Sequence, residues 1–325
     1  MFAYIVRRVL YAIPILIGVN LLTFALFFVV NTPDDMARMQ LGAKRVTPEA
    51  VEKWKAERGY NLPLVWNAKS EGAGAVTQTV FFQKSVRLFV FDFGYSEDKR
   101  DIGGEIATRM WPSLALALPV FLVGLAVCVT FALLMAFFRA TYLDLWGVVL
   151  CVAMMSISTL FYIIGGQYIA SKLWHLVPIS GYAGGFDAWK FLILPVLIGV
   201  ISGIGASSRW YRTLFLEEMG KDYVRTARAK GLGERVLLAR HVLKNALLPV
   251  TTLIGLQLSY LLGGTVIVEI VFAWPGIGSL VVDAILARDY PVVQGVALLV
   301  ASLVVVVSLV VDLSYAVLDP RVRLG

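Results

Sequence analysis

The sequence predicts an all-α integral membrane protein with about six transmembrane helices and a long extracytoplasmic loop after the first. Three observations carry that expectation: the composition, the length of the apolar runs, and the placement of the basic residues. Of 325 residues, 59% are hydrophobic and 16% charged, and the mean hydropathy is +0.78. Soluble domains carry about a quarter charged residues. The two cysteines, Cys128 and Cys151, both sit inside apolar runs. They form no disulfide framework, and neither stands in metal-ligand spacing with His175 or His241, so no metal site is expected.

Crossing ~30 Å of hydrocarbon takes roughly 20 helical residues. The runs that reach or approach this length are 9–30, 114–138, 145–169, 191–207, 246–270 and 292–318, of which the fourth is short and glycine-rich. Backbone groups in hydrocarbon must be satisfied within the segment, so these runs are expected as helices. Arg7 and Arg8 precede the first run, but its apolar stretch is longer than a secretory signal core and no small-x-small cleavage site follows. It is expected as a span.

Basic residues in short loops set orientation. Arg7, Arg8, Arg139, the segment 209–244 with nine basic and four acidic residues, and Arg321 and Arg323 fall on one side when six spans are threaded. The opposite short loops hold only Lys172, Lys190 and Arg288. Both termini are therefore expected in the cytoplasm, and the chain reads as a multi-pass membrane protein. The expected organisation is a first helix over 1–30, an outer loop region over 31–110, a transmembrane domain over 111–318 and a tail over 319–325. Residues 31–113 hold twelve basic and eleven acidic residues, and loops of this length cross regardless of charge. One helix is expected there, with Thr47 as N-cap, Pro48 at the first helical position and Gly59 closing it. The Gly/Ala-rich stretch 68–76 is expected to be flexible, and 88–93 is apolar but too short to span.

The one sizeable cytoplasmic segment is 208–245. Residues 221–230 favour helix, Gly231 and Gly233 supply a stop, and a second amphipathic run over 234–248 leads into Pro249 and the fifth span. A helix, a glycine turn and a rigid return to the membrane would let a partner's movement push on a pore helix. A basic loop that merely obeys the positive-inside rule is the plain alternative.

Asp222-Tyr223-Val224-Arg225-Thr226-Ala227-Arg228-Ala229-Lys230-Gly231-Leu232, followed by Asn245-Ala246-Leu247-Leu248-Pro249, closely resembles the coupling-loop signature of bacterial ABC importer permeases. More narrowly it is similar to the dipeptide/oligopeptide/nickel permeases of the B type. The resemblance extends to Ile5-Val6-Arg7-Arg8-Val9-Leu10, to Glu269-Ile270-Val271-Phe272-Ala273-Trp274-Pro275-Gly276-Ile277-Gly278, to Arg288-Asp289-Tyr290-Pro291 and to Leu318-Asp319-Pro320-Arg321. The chain departs from the pattern at Thr226, where other ABC importers have the glutamate that names the loop. It departs again at Thr32-Pro33-Asp34-Asp35 and over 66–87.

The resemblance implies the type I ABC importer permease fold and a permease subunit for a small solute, most plainly di- or oligopeptides. It implies a second, homologous permease, two cytoplasmic ATPase subunits and an extracytoplasmic solute-binding protein as partners. Asp222, Tyr223, Arg225, Thr226, Ala227, Arg228, Ala229, Lys230 and Gly231 would couple the chain to the ATPases, with Ala227 and Ala229 small so that the helix can lie close to its partner. No catalytic residue and no cofactor is expected in this chain. ATP and Mg belong to the partners, because no G-x-x-x-x-G-K-[ST] loop is present.

Ionisable and polar residues within spans are candidates for the pathway or its gates. Asp312 could line the path, or pair with an arginine near the cytoplasmic end. Glu269 could gate or dock, or be a solvated anchor at the interface. Ser156, Ser158, Gln257, Ser259 and Thr265 could meet a polar substrate, although such residues commonly bond between helices or to their own backbone. Gly165-Gly166 and Gly263-Gly264 read as helix-packing positions. Trp111, Trp174, Trp189, Trp210 and Trp274 read as interfacial belts. A secondary transporter would be expected to show internal repeats and midplane charges, an embedded enzyme a nucleophile or metal cluster, and neither pattern is found. A membrane receptor would have no evident use for the coupling loop.

Overall fold

The computed structural model describes residues 2–42, 47–259, 261 and 265–318. Asp319, Pro320, Arg321, Arg323, Gly263 and Gly264 lie outside the described residues. The described residues form helices and no strand, beyond an isolated bridge between Tyr95 and Asp101.

The first apolar run forms α1 (Phe2–Phe24), which continues through a π-helical stretch, Ala25–Val30. After it, Thr32 caps α2 (Pro33–Leu41) in a reciprocal capping box with Asp35. Thr47, Pro48 and Gly59 bound α3 (Pro48–Arg58) as the sequence predicts: the Thr47 hydroxyl accepts from the Ala50 N–H, and Gly59 adopts φ +74°. The stretch expected to be flexible is hydrogen-bonded. The Asn67 N–H donates to Ala75 O at 2.9 Å and α4 (Gly74–Thr77) forms within it. Next come α5 (Val80–Lys84) and a 3₁₀ turn, Val86–Val90.

α6 (Ile102–Phe137) is a single helix of 36 residues and carries the second apolar run. The third run is broken. α7 (Tyr142–Met155) and α8 (Thr159–Gly166), extended by a π-helical stretch Gln167–Leu173, are bent by 89° at residues 156–158. α9 (Ala188–Met219) is far longer than the run 191–207, because its buried face continues past the last apolar window through Ser208, Tyr211, Phe215, Glu218 and Met219. α10 (Asp222–Ala229) and α11 (Glu234–Val236) follow, and a π-helical stretch Leu237–Val242 joins α11 to α12 (Leu243–Ser259). The fifth run is therefore divided between α12 and α13 (Val266–Val271). α14 (Ile277–Ala287) and α15 (Tyr290–Leu318) complete the chain.

Four helices among the described residues are long and apolar enough to cross a membrane, or five if the bent pair counts as one span. Their exposed faces carry large apolar side chains such as Leu10, Leu22, Leu122 and Ile164, as surfaces in contact with lipid require. Of the five tryptophans assigned to interfacial belts, Trp111, Trp174, Trp189 and Trp210 are exposed. Trp274 is not a belt residue. It is buried, and its Nε1 donates to Pro112 O at 2.8 Å.

The helices divide between two compact units. The first holds residues 1–109 and 280–305, and the second holds 110–279 and 306–325. In the first unit, Phe24, Phe28, Met36, Val51, Trp54, Tyr60 and Val80 pack together, so the loop helices are folded onto α1. Asn20 and Gln294 both hydrogen-bond Ser85 there. In the second unit, small residues let helices approach. A Cβ on Gly205 of α9 would meet Cys151 O of α7 at 2.5 Å, and one on Gly166 would meet Ile198. Gly165 has no such neighbour. Arg212 of α9 holds Asp144 of α7 through two donors, both at 2.7 Å.

Candidate functional site

α10 is short and strongly two-faced. Val224 and Ala227, three residues apart, are buried against Tyr211, Phe215 and Met219 of α9, the stretch Leu237–Val242 and Ala246 of α12. Ala227 therefore faces this chain's own core, and only Ala229 of the two alanines is exposed. The opposite face presents Asp222, Arg225 and Thr226. The Thr226 hydroxyl is occupied in-helix, donating to Asp222 O at 3.0 Å.

Each end of α10 is tied down. At its start Tyr223 donates to Glu218, the buried carboxylate in the last turn of α9, and Lys221 Nζ pairs with the same carboxylate at 2.6 Å. Burial, and then the hydrogen bond to Glu218, push the Tyr223 hydroxyl up to about 12. At its end Gly231 takes φ +81°, a left-handed conformation that glycine reaches freely. There the Gly231 N–H donates to Arg228 O at 3.0 Å. Beyond the turn, Arg228 reaches Glu234 with donors at 2.6 and 3.2 Å. The Arg228 hydrogen bond holds the Glu234 carboxyl below its usual range. Lys230 is exposed beside the glycine.

Between α6, α9 and the α12 end of the fifth run lies a cleft of about 220 Å³. α9 contributes Gly199, Gly203, Ser207 and Tyr211, every fourth residue and hence one helix face. Gln257 and Thr265 also line it. The structure thus brings two of the candidate pathway residues together. Ser156 and Ser158 stand apart at the bend between α7 and α8, where the Ser156 hydroxyl donates to Val152 O at 2.9 Å. Ser259 ends α12, and Asp312 lies half-buried in α15. Sequence reasoning missed Ser207 and Tyr211, although the four-residue spacing that carries them was present.

Glu269 is not a solvated anchor. It is fully buried, because residues 272–279 fold back over it. Its carboxylate accepts from Ser113 Oγ at 2.8 Å, Thr265 Oγ1 at 3.0 Å and the Ser279 N–H at 2.9 Å. Ser113 in turn accepts from the Ile277 N–H at 2.7 Å. A Cβ on Gly276 would overlap the Glu269 carboxyl group, so the Trp274-Pro275-Gly276 turn fits only around a glycine. Thr265 joins this knot to the cleft.

The family model described as binding-protein-dependent transport system inner membrane component matches residues 128–324, and the model for the N-terminal part of such components matches residues 1–116. The chain belongs to this family. The permease is 33% identical over 351 residues to the dipeptide transport system permease protein DppB of Escherichia coli K12, covering 99% of both chains. It is 32% identical over 329 residues to the glutathione transport system permease protein GsiC of Escherichia coli O1:K1, again over 99% of each. It is a multi-pass membrane protein and a permease subunit of an ABC importer, as the coupling-loop resemblance implies.

Proposed function

We propose that this permease forms, with a second and homologous permease, the path by which small peptides enter a bacterial cell, and that α10 receives the ATPase stroke. The observation that carries the reading is the two-faced packing of α10. Its inner face is fixed to the ends of α9 and α12, the helices beside the cleft, while Asp222, Arg225 and Ala229 lie exposed on the outer face, where another subunit can meet them. A push on α10 is therefore a push on α9 and α12, the rigid-body kind of switch that moves helices past one another. The names of the dipeptide and glutathione permeases support a peptide or peptide-like solute.

On this reading α10 and both termini are cytoplasmic, and residues 31–110 face the solute-binding protein. Two separate ATPase subunits hold ATP and Mg. Ser207, Tyr211, Gln257 and Thr265 give the path its polar contacts, and Glu269 holds the turn beside them. The test is reconstitution of this chain with its partner permease, ATPases and binding protein in liposomes. ATP-dependent uptake of labelled di- or tripeptides is expected, with none when any subunit is omitted. A complete complex that hydrolyses ATP yet moves no peptide overturns the substrate assignment.

A further inference from the structure

The first unit contains a cavity of about 480 Å³, distinct in residues from the cleft of the second unit. Its charges are unequal. Arg58, Lys84, Arg87 and Lys99 line it, against Glu57, Asp92 and Glu97. Beneath the wall, buried Asp289 accepts from the Glu97 N–H at 3.2 Å and is approached by Arg100 at 3.8 Å, while Glu105 holds Arg100 more closely at 2.7 Å. The carboxylates have partners. Arg58 and Tyr60 both donate to Glu97, Arg87 pairs with Asp92 at 3.0 Å, and Arg58 approaches Glu57 at 3.9 Å.

Among the described residues neither Lys99 nor Lys84 pairs with a carboxylate; Lys99 is exposed, and the more sheltered of the two is Lys84. Its Nζ lies over the Tyr60 ring, 5.2 Å from the centroid, and among the described residues no carboxylate comes within 4.0 Å of it. Burial lowers its pKa, while Glu97 and Asp289 act on it only through space. A half-buried ammonium against a ring face keeps unused donors, and Glu97 and Asp289 offset its desolvation only in part. Phe28, Leu88, Phe93 and Pro291 supply apolar wall beside it.

We propose that this cavity is a binding subsite for a small, partly apolar solute bearing a carboxylate, and that Lys84 receives the carboxylate. Among the lining residues the one surplus cation matches one negative charge, and the volume is that of a small-molecule site. On the orientation proposed above, this unit's loops lie outside, where an incoming solute would meet the cavity. Binding itself can be measured without transport.

The experiment is saturation-transfer NMR and calorimetry on the full chain in nanodiscs, with N-acetyl-alanyl-alanine, its C-terminal amide and inorganic phosphate as probes. Wild type is expected to bind the free acid at least tenfold more tightly than the amide. Lys84→Met should abolish that preference and Lys84→Arg should keep it, at an unchanged thermal midpoint. Gln83→Trp, which narrows the cavity from its rim and leaves the charge alone, should also weaken the acid, and it serves as the test if Lys84→Met does not fold. Equal binding of acid and amide, equal binding of phosphate, or an undiminished preference in Lys84→Met overturns the proposal. Peptide uptake by the assembled importer is scored separately, so failure of the transport reading leaves this result standing, and the reverse also holds.

Discussion

The Tyr223 hydroxyl donates to the Glu218 carboxylate, and that bond ties the first turn of α10 to the last turn of α9. Glu218 is buried, and its other partner here, Lys221, is exposed. A solvent-exposed, flexible lysine fixes geometry weakly, whereas a hydrogen bond from a ring-borne hydroxyl to a desolvated carboxylate is directional and among the stronger ones. Tyr223 is thus a positioning residue: it faces its own chain and fixes the angle between the surface helix and a helix beside the cleft.

Tyr223→Phe keeps the ring and removes the donor. Losing one hydrogen bond to a charged, buried acceptor costs about 1.5–3 kcal/mol. Peptide uptake per inserted complex is expected to fall about tenfold, the equivalent of ~1.4 kcal/mol. ATPase co-purification should stay at the wild-type level, so that transport per ATP declines. Loss of ATPase binding together with uptake would place Tyr223 on the partner-facing surface instead.

The same bond has a pH signature. The folded pKa of Tyr223 is raised, to about 12, so the stabilisation it gives is complete below the ordinary tyrosine value near ~10 and is lost as pH rises through the folded one. The difference spectrum between wild type and Tyr223→Phe should show one tyrosinate appearing near the raised value. Burial raises it most and the Glu218 bond next, so a transition near the ordinary value would mean that the hydroxyl is neither buried nor bonded to Glu218 in solution.

Much of this was legible in the sequence, for identifiable reasons. The apolar runs located α1, α6 and α15, because long uninterrupted apolar helices are what hydropathy reports. Thr47, Pro48 and Gly59 located α3, because capping is local chemistry. The length of α9 was hidden, since Arg209, Arg212, Glu217 and Glu218 end the apolar window while the buried stripe runs on beneath them. The inward face of Ala227 was hidden too: a small residue suits a partner surface and a core equally, and only Leu237, Leu238 and Val242 packed against it decide. The burial of Glu269 depends on residues 272–279 folding back over it, a tertiary event that no periodicity encodes.

Gly231→Val is expected to act through backbone conformation. At φ +81° a β-branched residue meets strain of about 1–3 kcal/mol, and no neighbouring atom lies within 4 Å of a built Cβ. Open space on that side means that bulk is not the cause. Gly231→Asn, which tolerates the left-handed region, should therefore retain most uptake, while Gly231→Val loses it at normal membrane insertion. Equal loss in both variants would point to a partner contact at the glycine itself.

Aspartate scanning separates the two faces of α10. Ala227→Asp puts a carboxylate among Phe215, Leu237 and Val242, and an unpaired buried charge is strongly destabilising. Folded yield and thermal midpoint should both fall. Ala229→Asp, on the exposed face, should leave both unchanged and weaken ATPase association. Measuring yield, midpoint and co-purified ATPase for each variant decides the assignment, and the reverse pattern would mean that α10 is rotated from the orientation described.

The knot at Glu269 gives the most demanding test, because its donors differ in freedom. The Ser279 N–H is fixed by the backbone, whereas the Ser113 and Thr265 hydroxyls can rotate. Glu269→Gln can keep its oxygen toward Ser279 and turn its amide toward the hydroxyls, which then accept. Its effect should stay below about 1.5 kcal/mol. Glu269→Leu leaves a buried N–H and two hydroxyls without that acceptor, and at about 1–3 kcal/mol for each unsatisfied group the permease should lose most of its folded yield. Gly276→Ala drives a methyl into the space the carboxyl group occupies and should lower the midpoint by a similar mechanism. Combining Gly276→Ala with Glu269→Ala vacates that space, so the double variant should be less destabilised than the sum of the single ones. Thermal unfolding of wild type, Gly276→Ala, Glu269→Ala and the double variant in detergent measures the coupling. Strict additivity would show that Gly276 and Glu269 do not share the packing described.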